Sequence, residues 1–203
     1  MSLYQFFNFK KMKTIGLTFV LLFAAGILYA GDYAVDISRS SVKWLGKKVT
    51  GEHTGTISIK SGQLNVKNGD ITGGTIEIDM NTITDLDLKD AEWNARLVGH
   101  LKSDDFFAVE KFPVSTFRLT GVKKLSGNES EFSGNLTIKG ITHPVTFRAT
   151  VTTEGNVLTS AGQLVINRAK FNIRYGSGSF FQGLGDKMIY DEFTLDFNLV
   201  ASE

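Results

Sequence analysis

The sequence predicts an all-β chain: an eight-stranded antiparallel β-barrel with one short helix packed beside it. Three observations carry that prediction. Short β-branched and aromatic runs alternate with polar residues at a period of two, the mark of a half-buried strand. The chain holds 21 glycines and two prolines, and many glycines fall where the runs must be joined by turns. One stretch, 88–101, drops the alternation for a helical spacing.

The first thirty residues stand apart from the rest. Lys10, Lys11 and Lys13 precede an uncharged apolar run over 15–28, and Ala30 and Gly31 supply small residues at which a peptidase would cut. The run is shorter than the roughly 20 apolar residues a spanning helix needs. The expectation is a signal peptide over 1–30 and one exported, periplasmic domain over 31–203, with no membrane span once the leader is removed. A retained anchor helix is the alternative. Without the leader's three lysines, the 22 Lys+Arg fall to 19, against 21 Asp+Glu. So even a balance argues against a nucleic-acid partner, which wants a concentrated basic face. With no cysteine there is no disulfide, thiolate nucleophile or cysteine metal centre.

Along the domain, 42–45, 55–59 and 63–66 read as strands, and Lys67-Asn68-Gly69-Asp70 as a hairpin turn, since Asn-Gly tolerates positive φ. Ile76, Ile78 and Met80 then alternate with Thr75, Glu77 and Asp79. The helix follows: Trp93, Leu97 and Leu101 form one apolar stripe, and Asp90 and Glu92 near its start suit the helix dipole. Alternation resumes with Phe117 and Leu119, with Phe132, Leu136 and Ile138, with Val145, Phe147, Ala149 and Val151, over 163–166, and with Phe193, Leu195, Phe197 and Leu199. Ser126-Gly127-Asn128 and Glu154-Gly155-Asn156 read as further turns. About eight strands can close a barrel wide enough for one small ligand, and closure leaves no exposed edge.

Chemistry-bearing motifs are sparse. His53, His100 and His143 lie far apart, unlike the short spacings of a zinc centre, so surface or hydrogen-bonding histidines and no metal are expected. Asp85, Asp87 and Asp90 lack the glycine and terminal glutamate of a calcium loop and read as helix-start acids or a solvated loop. Gly176-Ser177-Gly178-Ser179 reads as a flexible loop, with no Lys-Ser/Thr to make it a phosphate cradle. No nucleophile elbow is present. Binding is therefore expected rather than catalysis.

Two blocks carry a family resemblance. Gly99-His100-Leu101-Lys102-Ser103-Asp104-Asp105-Phe106-Phe107 continues into Glu110-Lys111-Phe112-Pro113-Val114-Ser115-Thr116-Phe117, and 134–147 reads Gly-Asn-Leu-Thr-Ile-Lys-Gly-Ile-Thr-His-Pro-Val-Thr-Phe. With Trp44 in the opening strand, these stretches resemble the YceI-like proteins, lipocalin-like barrels that bind polyisoprenoids. Arg168-Ala169-Lys170-Phe171-Asn172-Ile173 resembles the family's Arg-x-Asp-Phe-Gly-Ile stretch but departs from it at Lys170 and Asn172. The resemblance implies an apolar tunnel holding an isoprenoid chain such as a quinone tail or polyprenyl lipid, an envelope location, dimers, and no catalytic residues or cofactor. Asp104 is expected to cap the turn after the helix.

The expected ligand wall is Trp44, Phe106, Phe107, Phe112, Phe117, Phe132, Leu136, Ile138, Phe147, Phe171 and Phe181. Alternation places Phe132, Leu136 and Ile138 on one face without saying which face points inward. Two other readings stand beside the lipid carrier: a structural or stress-related envelope protein with a filled core, and an enzyme acting on an apolar substrate.

Overall fold

The computed structural model describes residues 30–203, so the leader assigned to 1–30 falls, but for its last residue, outside the described residues. Nine strands and one helix follow in order: β1 (Ala30–Val35), β2 (Ser41–Lys48), β3 (Gly51–Lys67), β4 (Asp70–Asp79), α1 (Ala91–Lys102), β5 (Val114–Lys124), β6 (Glu129–Ile138), β7 (Ile141–Glu154), β8 (Val157–Asn167) and β9 (Ile189–Ser202). From β2 onward each strand pairs antiparallel with the next, and β9 closes on β2 with Val42 opposite Phe197. The result is a closed eight-stranded barrel with one extra strand. That strand, β1, continues the line of β2, pairing with the far end of β3 (Tyr33 opposite Leu64) and the end of β9 (Val35 opposite Ala201). Among the described residues no helix is long and apolar enough to cross a membrane.

Two short strand candidates, 55–59 and 63–66, are one 17-residue strand, β3. Its register shifts between Ile59 and Ser61. That bulge lets Ile59, Leu64 and Val66 all be buried although their spacing breaks strict alternation. The Asn68-Gly69 hairpin has positive φ at both residues, 56° and 83°, as its sequence demands. Lys139-Gly140 does the same between β6 and β7, with φ of 51° and 72°. Asn172 is also left-handed, at φ 57°. Glycine's freedom explains the family pattern at that position, and asparagine is the side chain that best tolerates it.

Several glycines lie inside strands rather than in turns. A Cβ at Gly55 would sit 1.9 Å from the Thr84 carbonyl oxygen and 2.6 Å from the Trp44 indole nitrogen. At Gly134 it would sit 2.4 Å from the Phe117 ring. These positions are empty of side chain because an aromatic ring lies across the backbone there.

Helix α1 begins at Ala91, later than expected, because the Asp90 carboxylate caps it by accepting from the Glu92 and Trp93 amides. The apolar stripe is shorter than its spacing suggested. Leu97 and Leu101 turn to the barrel, while Trp93 remains 60 % exposed with the Arg96 guanidinium 5.0 Å above its ring. Ser103, not Asp104, closes the helix: its amide donates to the Gly99 and His100 carbonyls and its hydroxyl to His100 again. Asp104 is exposed and paired with Lys111 at 2.6 Å. The Gly176–Ser179 loop is built in at its centre, where Ser177 is fully buried and the Gly176 carbonyl accepts from the Ile189 amide.

The barrel is solid in one half and hollow in the other. The solid half packs Ile59, Leu64, Ile76, Leu119, Phe132 and Leu158 around each other. Phe147 sits in a four-ring cluster with Phe117, Phe132 and Phe197 at centroid distances of 5.5, 5.6 and 5.5 Å.

Candidate ligand-binding site

In the other half lies a cavity of about 320 Å³. Its wall comes from strand positions whose side chains alternate inward. On β2 and β9 these are Val42, Trp44, Phe193 and Leu195, with Trp44 directly opposite Leu195. On β6 and β8 they are Leu136, Ile138 and Ile166. Leu97 and Leu101 from α1, with Phe106 and Phe107 from the turn after it, cover one side. Polar groups gather as Lys47, Lys48, His53, His100, Arg168 and two tyrosines, Tyr175 and Tyr190. The arrangement suits an apolar guest with a polar end, since an apolar pocket with few polar groups fixes orientation through those groups.

The structure brings together five of the eleven expected wall residues: Trp44, Phe106, Phe107, Leu136 and Ile138. Phe117, Phe132 and Phe147 share the inner surface but lie in the four-ring cluster, further along the barrel. Phe171 is 1 % exposed, packs edge-on against His143 at 5.3 Å and joins Phe106, Leu136, Ile138 and Ile166 in one buried cluster, behind the wall rather than on it. Phe112 lies against Gly140, where a Cβ would come within 3.1 Å of its ring. Phe181 is 49 % exposed. The face question left open by alternation is answered by burial: Phe132, Leu136 and Ile138 point inward.

Several wall residues went unnamed from the sequence. Phe193 and Leu195 were visible as an alternating pair, and only the pairing of β9 with β2 reveals that they face Trp44. Arg168 had no signal beyond its place in the resemblance. Its guanidinium is buried and donates to the carbonyls of Tyr190, Ile173, Tyr175 and Ile189, with the Asp191 carboxylate 3.4 Å away. Burial lowers its pKa from the ordinary arginine value, and Asp191 opposes that shift. With its donors committed to backbone, Arg168 fastens the 168–191 segment over the cavity rather than offering a free cation to a ligand.

Trp44 is held by two devices. Its indole N–H donates to the Thr84 carbonyl at 3.0 Å, and Gly55 leaves room for its ring. His100 meets the rings of Phe106 and Tyr175 edge-on at 4.9 and 4.4 Å and lies 3.3 Å from Asp105. His53 lies 2.9 Å from Asp87. Among the described residues neither histidine hydrogen-bonds a serine or threonine hydroxyl. The one buried hydroxyl on the wall, Ser115, is directed at the Met80 sulfur at 3.1 Å. Among the described residues of the wall, no hydroxyl is joined to a histidine base.

A second depression, of about 460 Å³, opens at the opposite end of the barrel. Asp70, Lys124, Asn128 and Thr153 line it, and Lys124 pairs with Asp70. Ile71, Val122, Phe132 and Val151 line it as well, so its wall mixes polar and apolar side chains.

The chain resembles known proteins over nearly all of the described fold. Protein YceI of Escherichia coli O157:H7 is 32 % identical over 158 residues, covering 72 % of this chain and 75 % of that protein. Among solved structures, Burkholderia cenocepacia BcnA superposes with a TM-score of 0.65 at 27 % identity, over 83 % of this chain and 99 % of the other. A polyisoprenoid binding domain from Saccharophagus degradans superposes with a TM-score of 0.60 at 15 % identity, over 84 % and 97 %. Residues 33–201 match the model of the YceI-like domain, and the chain belongs to that family.

Proposed function

We propose that this protein binds an isoprenoid lipid of quinone or polyprenyl type in the periplasm, holding the tail in the barrel cavity and leaving the head group at its polar mouth. The observation that carries the reading is the apolar cavity between Trp44, Leu136 and Leu195, with polar residues gathered on one part of its wall. Each buried CH₂ contributes about 0.8 kcal/mol, so several prenyl units bind well with few polar contacts. The cavity is at the small end of ligand pockets, which run from about 300 to 1,000 Å³. The chain end is therefore held inside, and a longer tail needs the phenylalanine cluster to give way. The polyisoprenoid binding domain that shares this fold supports the ligand class, and the basic leader pattern supports export.

Trp44 reports on the cavity directly. With Trp93→Phe removing the exposed indole, a short-tailed ubiquinone-type probe is expected to quench the remaining fluorescence saturably at one equivalent. Leu136→Phe, which fills the cavity, is expected to weaken that quenching. A linear, unsaturable response, or equal quenching in the filled variant, counts against the proposal.

A further inference from the structure

The loop between β4 and α1 carries a feature the lipid reading does not use. Asp85, expected as a helix-start acid or in a solvated loop, is 7 % exposed. Its Oδ1 accepts from the Leu88 amide at 2.9 Å and the Asn94 side chain at 3.1 Å, while its Oδ2 is buried with no hydrogen-bond partner. A buried carboxylate oxygen without a donor is costly and marks a missing partner. Beside it stand Asp87 and His53, and one ligand atom from each of the three residues lies within 4.8 Å of the others. Among the described residues no lysine or arginine pairs with either aspartate; the one basic side chain beside them is the His53 imidazole, 2.9 Å from Asp87.

The three side chains are held in place from behind. Asn94, on α1, donates to the Asp85 carboxylate and also to the backbone carbonyls of Asp85 and Leu88, which fixes the loop against the helix. The Thr54 amide donates to Asp87 Oδ1 at 2.8 Å, leaving Oδ2 for the cluster. His53 sits on β3 opposite Gly46, on the wall of the cavity. Outer hydrogen bonds thus orient the two aspartates and spare one oxygen of each, as at metal sites, while His53 is placed by its strand and bonds only Asp87.

We propose that His53, Asp85 and Asp87 form a binding site for a zinc-type divalent cation beside the cavity mouth. One imidazole nitrogen and two carboxylate oxygens suit a first-row transition metal such as Zn²⁺, which takes three protein ligands and leaves a fourth position open. Calcium and magnesium prefer sets made wholly of oxygen. The cation supplies what Asp85 Oδ2 lacks and offsets two adjacent carboxylates that share a single histidine. The site stands on its own residues and does not depend on the lipid reading.

Calorimetric titration of untagged, metal-free protein with zinc chloride tests this. One saturable site is expected, with a dissociation constant of micromolar order or tighter. His53→Gln and Asp85→Asn are each expected to weaken it at least about tenfold. Binding is also expected to release protons, seen as a dependence of the heat on buffer ionisation enthalpy. No saturation up to about a millimolar, or equal affinity in both variants, overturns the proposal. If either variant does not fold, imidazole resonances of the wild-type protein decide it. Shifts at His53 on adding one equivalent of zinc support the site. Shifts confined to His100 or His143 overturn it.

Discussion

Burial raises the Asp85 carboxyl above its ordinary value of 3.8, the Leu88 amide opposes the rise, and neighbouring Asp87 adds to it. Burial pushes Asp87 up as well, but its hydrogen bonds from Thr54 and His53, with neighbouring Asp85 acting the same way, win and hold it below 3.8. The two groups therefore act on stability with opposite signs. The folded chain keeps the Asp85 proton to higher pH than the unfolded chain, so this residue costs stability as pH rises above 3.8 and through its raised value. Asp87 contributes stability above 3.8 that is lost as pH falls through its lowered value. Asp85→Asn keeps an acceptor for Leu88 and removes the charge. In metal-free buffer the variant is expected to melt above the wild type at neutral pH, with the difference shrinking toward about pH 4, where aspartate is normally half-protonated. Equal melting at both pH values would contradict this assignment of the buried charge. Spacing along the chain gave no warning of it, because Asp85 is held by Asn94 of α1 while the adjoining Leu86 amide donates to the Thr54 carbonyl of β3, two separate elements.

At the scale of elements, strand alternation was readable because each barrel strand has one buried face. Ile76 and Ile78, Phe132 and Leu136, and Leu195 and Phe197 all carry it. Depth along the barrel was not readable. Phe132 and Leu136 share a face on β6 but stand four residues apart, about 13 Å at the usual strand rise of 3.3 Å. That distance separates the solid half from the hollow one. The periodicity of α1 was readable too, but not that the barrel covers Leu97 and Leu101 and leaves Trp93 outside. The ring cluster sets the depth of the cavity, and Phe147 stands at its centre, in contact with the other three rings. Phe147→Ala is expected to destabilise the fold in chemical denaturation by about 2–3 kcal/mol, below the roughly 3–5 of a fully buried phenylalanine because Phe147 is only partly buried. The same variant is expected to shift affinity toward longer quinone tails relative to short ones. An unchanged preference for tail length would show that the cluster does not limit the cavity.

At the scale of the molecule, closure of β9 on β2 leaves the eight-stranded barrel without a free edge, and β1 covers the length of β3 and β9 that β2 does not reach. Arg168 ties the 168–191 segment to the barrel through four carbonyls. These features make a cup with a phenylalanine cluster at its base, an apolar wall and a few polar side chains among its lining. Such a cup distinguishes similar tails poorly, so selectivity falls to the head group at the mouth. The most direct test of the carrier reading is to purify the protein from the periplasm of its own host, extract it with organic solvent and identify the extract by mass spectrometry. The account predicts a prenyl lipid at close to one equivalent per chain, reduced in Leu136→Phe protein purified alongside. An extract without prenyl lipid, from protein whose cavity remains open, would contradict it.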